Sequence, residues 1–391
     1  MSMEEGPGAN IAVLRKAANL TQRGLATRAQ ISHSLLTKIE TGDRAATHAV
    51  IAAIARALRV APERLLGQPY PDAPHPDAVE ALRTAVRRYD LPNEPETTPR
   101  TLAELGREVA GATQLRRDAR YGKLAHVLPP LIEELTYAAH SLRGEEQLTA
   151  WRLLADSYGS AHTWAHRLGY ADLAEMIADR LSYTAMMADD QVLSAVAAWT
   201  RVNAFQAAGD YSHGLHVLDR ASQKLTPDNE RAAVVLGSLH LRGMTLASRA
   251  KNTSEANAQF RQAEHLANLL PGDTTHHHLT FGPANTLIHQ VAARVELERP
   301  RDAINLAERF TAPKDLPATR HGHHYIDVAR AYLVAGDRDR TMKALRQAKQ
   351  VAPEQTRYHP MVRETTRVLV SMHRRANADL VGFATWLGVA G

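Results

Sequence analysis

The sequence predicts an all-α protein in two parts: a small five-helix module in the first 68 residues, and a long array of paired helices from about residue 101 to the end. Three observations carry this prediction. Aromatic residues are 5% of the 391, and the 44% hydrophobic content leans on Ala, Leu and Val, a balance that suits helices better than sheets. Helix-capping residues recur at short intervals near the N-terminus. Farther along, a Gly-Asp turn recurs between helical stretches, the mark of a repeat.

In the N-terminal module, the first helix carries Ile11 and Leu14 and stops near Asn19, a residue that tolerates left-handed backbone. Thr21 caps a second helix, whose buried side holds Leu25, Ala26 and Ala29. Ser32 caps a third, which buries Leu36 and Ile39 and stops at Gly42. Thr47 caps a fourth, with Ile51, Ile54 and Leu58 on one face. Pro62 and Gly67 mark the start and end of a fifth.

The segment LRKAANLTQRGLATRAQISHSLLTKIETGDR resembles the helix-turn-helix of the phage-repressor, or XRE, family. The matching positions are Leu14, Leu20-Thr21-Gln22, Leu25-Ala26, Ile31-Ser32, Leu36, Ile39-Glu40 and Gly42. The resemblance implies that the third helix enters a DNA major groove. It implies that His33, Ser34 and Lys38 project towards base edges with Thr37 beside them, and that Gln22, Arg15 and Arg44 meet phosphates. Glu40 has a structural part in this reading. Two positions depart from the family. Gln30 stands before Ile31 where left-handed backbone usually takes Gly, at a cost of about 1 kcal/mol. Gly24 lies inside a helix, with a similar penalty relative to Ala.

Charge agrees with a polyanion-binding head. The first 68 residues hold nine Lys/Arg against five acids, so +4 of the formal net charge of +5 lies there and +1 in the remaining 323. The chain has no Cys, which excludes disulfides, thiol nucleophiles and Cys-based zinc sites. No apolar run reaches membrane-spanning length, and the acidic start MSMEEGPGAN is unlike a secretory signal, so a cytoplasmic protein is expected.

Residues 69–100 read as a linker with one helix: GQPYPDAPHPDA (67–78) holds four prolines, DAVEALRTAVRRYD is helical, and LPNEPETTPR is a second break. Within 101–391, residues 201–227 and 328–353 align on Gly-Asp at 209–210 and 336–337. An aromatic residue stands four before each Gly (Phe205, Tyr332), and an Ala twelve after (Ala221, Ala348). Weaker copies turn near Gly122, Gly169, Lys251 and Glu298, so turns fall 38 to 47 residues apart, one helix pair each.

The array resembles tetratricopeptide (TPR) repeats, which stack into a superhelix whose concave face is built by the first helix of each pair. That register places Thr163, His166, Arg167, Asn203, Thr245, Arg249, Asn285, His323 and Arg330 on the inner face. His289 joins them in HHHLTFGPANTLIHQVA (276–292), where Gly282-Pro283 breaks the chain and Asn285 is expected to cap the next helix as well as face the groove. An inner Asn suits a peptide backbone, and an inner Arg a carboxylate or phosphate. The His-rich stretches 276–278 and 321–324 are expected in exposed loops, and with no HExxH and no matching carboxylate pair no metal is expected. No dinucleotide, Walker or nucleophile-elbow motif occurs, which argues against an enzyme, and no cofactor is expected.

The whole-chain resemblance is to XRE regulators with TPR-like sensor domains, including those of actinobacteria and peptide-responsive quorum-sensing regulators. It implies a homodimeric transcription regulator that binds a double-stranded operator and a peptide or small-molecule signal, with no membrane partner. An alternative keeps the DNA-binding head and makes the array a protein-docking scaffold for a co-regulator.

Overall fold

The structure is a computed structural model and describes residues 6–71, 76–94, 98–372 and 378–389. The acidic residues at the very start and parts of both proline-rich breaks (72–75 and 95–97) lie outside the described residues.

The head consists of α1 (Pro7–Ala17), α2 (Gln22–Arg28), α3 (His33–Glu40), α4 (His48–Leu58) and α5 (Pro62–Leu66). Each expected cap forms: Thr21 Oγ1 accepts from Gly24 N, Ser32 Oγ from Leu35 N, and Thr47 Oγ1 from Val50 N. Ile11, Leu25, Leu36, Ile39, Ile54 and Leu65 close a buried core. Gln30 takes φ +55°, the left-handed turn that aims α3 across α2.

The array begins with α6 (Pro76–Arg87), the one helix of the expected linker segment. Val79, Leu82 and Val86 share a core with α7 (Leu102–Arg117), α8 (Tyr121–Ser141), α9 (Gly144–Leu168) and α10 (Ala171–Met187). Thr101 and Glu104 cap α7 reciprocally. Helix pairs then follow: α11 (Gln191–Ala208) with α12 (Tyr211–Ser222), and α13 (Glu230–Arg249) with α14 (Thr253–Ala267). Next come α15 (Pro283–Glu296) with α16 (Pro300–Glu308), and α17 (Ala318–Ala335) with α18 (Arg338–Val351). Helices α19 (Pro353–Tyr358), α20 (Pro360–Met372) and α21 (Ala378–Leu387) end the chain. The turn residues Gly169, Gly209, Lys251, Glu298 and Gly336 all adopt positive φ. The earliest turn passes through Ala119, at φ +55°, while Gly122 already lies within α8.

The expectation that helices alone make up the chain after residue 101 needs correction. Strands β1 (Thr274–His276) and β2 (Leu279–Phe281) form an antiparallel hairpin between α14 and α15, pairing Thr274 with Phe281 and His276 with Leu279. Two close approaches seat it. A Cβ on Gly237 would lie 2.1 Å from the Phe281 ring, and one on Gly159 would lie 2.2 Å from His278 Nδ1. The hairpin is short and lined by His and Thr, so it gave no run of alternating apolar residues to recognise.

The head is docked on the array. Met361 of α20 enters the head core, and Ala46 N donates to Glu364 Oε1 at 3.1 Å. Arg56 Nη1 donates to the carbonyls of Ala208 and Gly209, at 3.1 and 2.7 Å, where a cation meets the C-terminal end of α11.

Candidate ligand cavity and nucleic-acid interface

On the head, α3 buries Leu36 and Ile39 and leaves His33, Ser34 and Lys38 exposed, with Thr37 half-buried and bonded through its hydroxyl to the His33 carbonyl. Arg44, in the turn after α3, is exposed as well. These five form an outward face that head docking leaves open.

Arg15 does not belong to that face. It is buried, its Nε and Nη2 donate to both oxygens of Glu40 at 2.7 and 2.9 Å, and its Nη1 donates to the Leu20 carbonyl. A guanidinium committed in this way holds α1 to α3 and is not available to a phosphate. Gln22 donates to the same carboxylate at 2.8 Å, which ties the start of α2 into the cluster. Burial pushes the Glu40 carboxyl up, but the bonds from Arg15 and Gln22 outweigh it and hold Glu40 below its ordinary range.

On the array, the first helix of each pair faces inward, and together they enclose a cavity of about 290 Å³. All ten inner-face residues singled out from the sequence line it: Thr163, His166, Arg167, Asn203, Thr245, Arg249, Asn285, His289, His323 and Arg330. Thr163 and Thr245 bond carbonyls of their own helices, and Asn203 donates to the Thr200 carbonyl. His166 stacks on His162 with ring centroids 5.9 Å apart, and its free surface opens into the cavity. Two sequence expectations fail here. Asn285 does not cap α15; the Asp273 carboxylate takes the Ala284 and Asn285 backbone N–H groups, both at 2.8 Å, because Pro283 occupies the first turn. The buried Asn285 side chain instead donates to the Thr280 carbonyl and accepts from Arg320 Nε. Nor are the His-rich stretches exposed loops: His278 is buried with Nε2 2.9 Å from Thr200 Oγ1, and His321–His324 lie within α17.

The cavity wall also contains residues that the repeat register did not supply. His48 and Ile51 of α4, and Glu63 and Leu66 of α5, close it from the head side. His359 and Met361 close it from the C-terminal helices, and Arg116 from α7. Arg242, Arg320, Glu296 and Asp327 stand on inner helices one or two turns from residues that were singled out, so extending each face by three, four or seven positions would have found them. His48 and Arg116 come from other parts of the chain, and periodicity carries no signal for them.

Charge in the cavity is unevenly paired. Glu296 lies 3.1 Å from Arg330, 3.8 Å from Arg249 and 3.4 Å from His48 Nδ1, and so joins head to array. Burial raises the Glu296 carboxyl, but Arg330, His48 and Arg249 prevail and hold it well below its ordinary range. Arg330 also donates to Asp327 at 2.8 Å. The histidines are neutral: burial, followed by the Arg249 charge, lowers His48 to about 4, and burial with the Arg242 charge lowers His162 to about 3. Burial likewise drives His278, His289, His323 and His359 well down. Among the described residues no group of three or more His, Cys, Asp or Glu is arranged to hold a metal ion, and no helix is long and apolar enough to cross a membrane.

The geometry defines a helix-turn-helix head joined to a TPR-like helical array with a partly open cavity of mixed polar and apolar lining. Residues 8–66 match the helix-turn-helix domain family. No curated protein matches the chain in sequence. Among solved structures it is similar to PlcR of Bacillus thuringiensis, in complex with the peptide PapR7 and DNA, at 15% identity over 68% of this chain and 95% of that one, with a TM-score of 0.27. It is similar to a PrgX variant at 10% identity over 90% and 94% of the two chains, TM-score 0.31, and to the PrgX/iCF10 complex at 12% over 89% and 90%, TM-score 0.26. At these identities and TM-scores, the likeness bears no weight on function.

Proposed function

We propose that the chain is a signal-responsive transcription regulator of the cytoplasm, without catalytic activity. Its head reads an operator through His33, Ser34, Thr37 and Lys38, with Arg44 towards phosphates, and its array takes a signal molecule in the cavity. Two heads in a homodimer reach successive major grooves about 34 Å apart. The observation that carries this reading is the shared wall: α4 and α5 of the DNA-binding head close the same cavity that the inner helices form. An occupant that fits one head position better than another therefore shifts operator affinity by its differential affinity for the two. The convergence of Asn203, Asn285 and several arginines on one concave cavity favours a ligand over the alternative of a docked co-regulator, which needs a broad, flat face. Selection of genomic fragments by the purified full chain, followed by gel shift, tests it. Salt-sensitive, sequence-selective binding lost in Lys38→Ala is expected; equal binding to all fragments would overturn it.

A further inference from the structure

The arginines of the cavity divide into two groups. Arg249 and Arg330 share the carboxylates of Glu296 and Asp327. Arg116, Arg167, Arg242 and Arg320 line the same cavity and form no ion pair within 4 Å among the described residues, although Asp273 and Asp327 act on Arg320, and Asp156 on Arg116, from farther off. Three of these four are held in place by neutral groups. The Arg242 guanidinium lies over the Trp199 ring at 3.8 Å and donates to Gln206 Oε1 at 3.1 Å. Arg320 Nε donates to Asn285 Oδ1 at 2.6 Å. Arg116 Nη1 donates to the His278 carbonyl at 3.2 Å, and its Nε is buried with no partner.

Orientation without neutralisation is costly for a folded chain, because buried cations need counter-charge. The histidines around them are neutral and add no such charge. Burial, and then the neighbouring arginines, lower Arg242 to about 9; burial chiefly lowers Arg320 and Arg116 to about 10, so all three stay charged at neutral pH. The cavity, of about 290 Å³, lies at the bottom of the range for small-molecule sites, which suits a compact ligand.

We propose that the cavity binds a compact polyanion, a small molecule bearing two or more carboxylate or phosphate groups, whose acidic oxygens pair with Arg116, Arg167, Arg242 and Arg320. Planar guanidinium groups fixed in advance present paired donors to each acidic group. The imidazoles of His166 and His289 face the same space and suit hydroxyl or carbonyl groups of the ligand body. This rests on the reading of the cavity as the signal site of a regulator and specifies its ligand class.

The test uses the full chain at constant ionic strength. Citrate and inorganic pyrophosphate, at millimolar concentration, are compared with sodium chloride, with the neutral triethyl ester of citrate and with an uncharged heptapeptide. Thermal unfolding and calorimetric titration are the readouts. The proposal expects at least one polyanion to raise the unfolding temperature and bind once per chain; which one responds tells carboxylate from phosphate chemistry. Arg242→Gln should weaken that binding by about tenfold or more. Should that variant fail to fold, Arg167→Gln serves, since its removal strands no carboxylate. In the absence of anion, Arg167→Gln should unfold at the same or a higher temperature than wild type, whereas a merely structural arginine would lower it. Stabilisation by the heptapeptide or the ester and not by the anions, or no response to either anion, overturns the proposal. Operator gel shift on the same preparation separates the two failures: DNA binding without anion binding sinks the ligand class alone, and anion binding without sequence-selective DNA binding sinks the regulator reading.

Discussion

Replacement of Glu296 by Gln removes one negative charge from a site 5% exposed that serves three partners. The three respond differently. Arg330 keeps Asp327 at 2.8 Å and is partly covered. Arg249 lies 3.8 Å from Glu296 and loses its carboxylate, leaving a cation whose side chain is 11% exposed uncompensated. His48 retains a neutral acceptor in the Gln carbonyl, so its bond changes least. Breaking a buried pair by removing one partner costs about 3–5 kcal/mol, and the surviving Asp327 contact puts Glu296→Gln near the lower figure, about 3 kcal/mol. Urea unfolding followed by circular dichroism, with the slope m held equal between proteins, measures it. Because His48 is the head's partner in this cluster, His48→Ala should cost only about 1 kcal/mol. A loss below about 1 kcal/mol for Glu296→Gln would refute the ion-cluster reasoning.

Other expectations follow from the same geometry. Lys38→Ala should relax specificity by about 1–3 kcal/mol at one base pair, read from binding to single-substitution operator variants. Arg44→Ala should weaken all sequences alike and lower the salt slope by about one unit. Arg15→Ala should instead destabilise the head by about 3 kcal/mol, because Glu40 is left without its cation; an unchanged melting curve would return Arg15 to the phosphate face. Acid should unfold the protein early. The folded pKa values of His48, about 4, and His162, about 3, lie below the ordinary 6.5, so the unfolded chain takes up protons that the folded chain refuses. Stability is therefore full above pH 6.5 and falls as pH drops towards those folded values, by about 1.4 kcal/mol per pH unit for each such histidine. Flat stability between pH 7 and 5 would contradict neutral burial. Gly237→Ala should dislodge Phe281 and lower the melting temperature without touching operator contacts, which paired melting and gel-shift measurements separate.

The helices, caps and core of the head were legible, because caps at Thr21, Ser32 and Thr47 are local and the core spacing is helical. The inner face of the array was legible through repeat register, which is how Asn203, Thr245 and Arg249 could be assigned to one surface from turns alone. What escaped is non-local. Arg15 reads as a surface cation until Glu40, 25 positions on, is seen to hold it. Asp273 caps α15 across the hairpin; that α15 starts at Pro283, with Asn285 inside its first turn, was legible, but the reach of Asp273 from the far side of the hairpin was not. His48 belongs to a helix whose apolar spacing explains only its buried side, so its reach to Glu296, 248 residues away, had no trace in the pattern.

The central claim is that the array cavity and the DNA-binding head are energetically linked. Thr245 lines the cavity from α13, distant in sequence from the recognition helix. Thr245→Trp fills space there as an occupant would, and its operator affinity, measured by fluorescence anisotropy beside wild type, tests the link with no ligand in hand. The account predicts a change in operator Kd of about fivefold or more, in a variant whose helix content and unfolding temperature hold. Equal operator Kd in two equally folded proteins would contradict it.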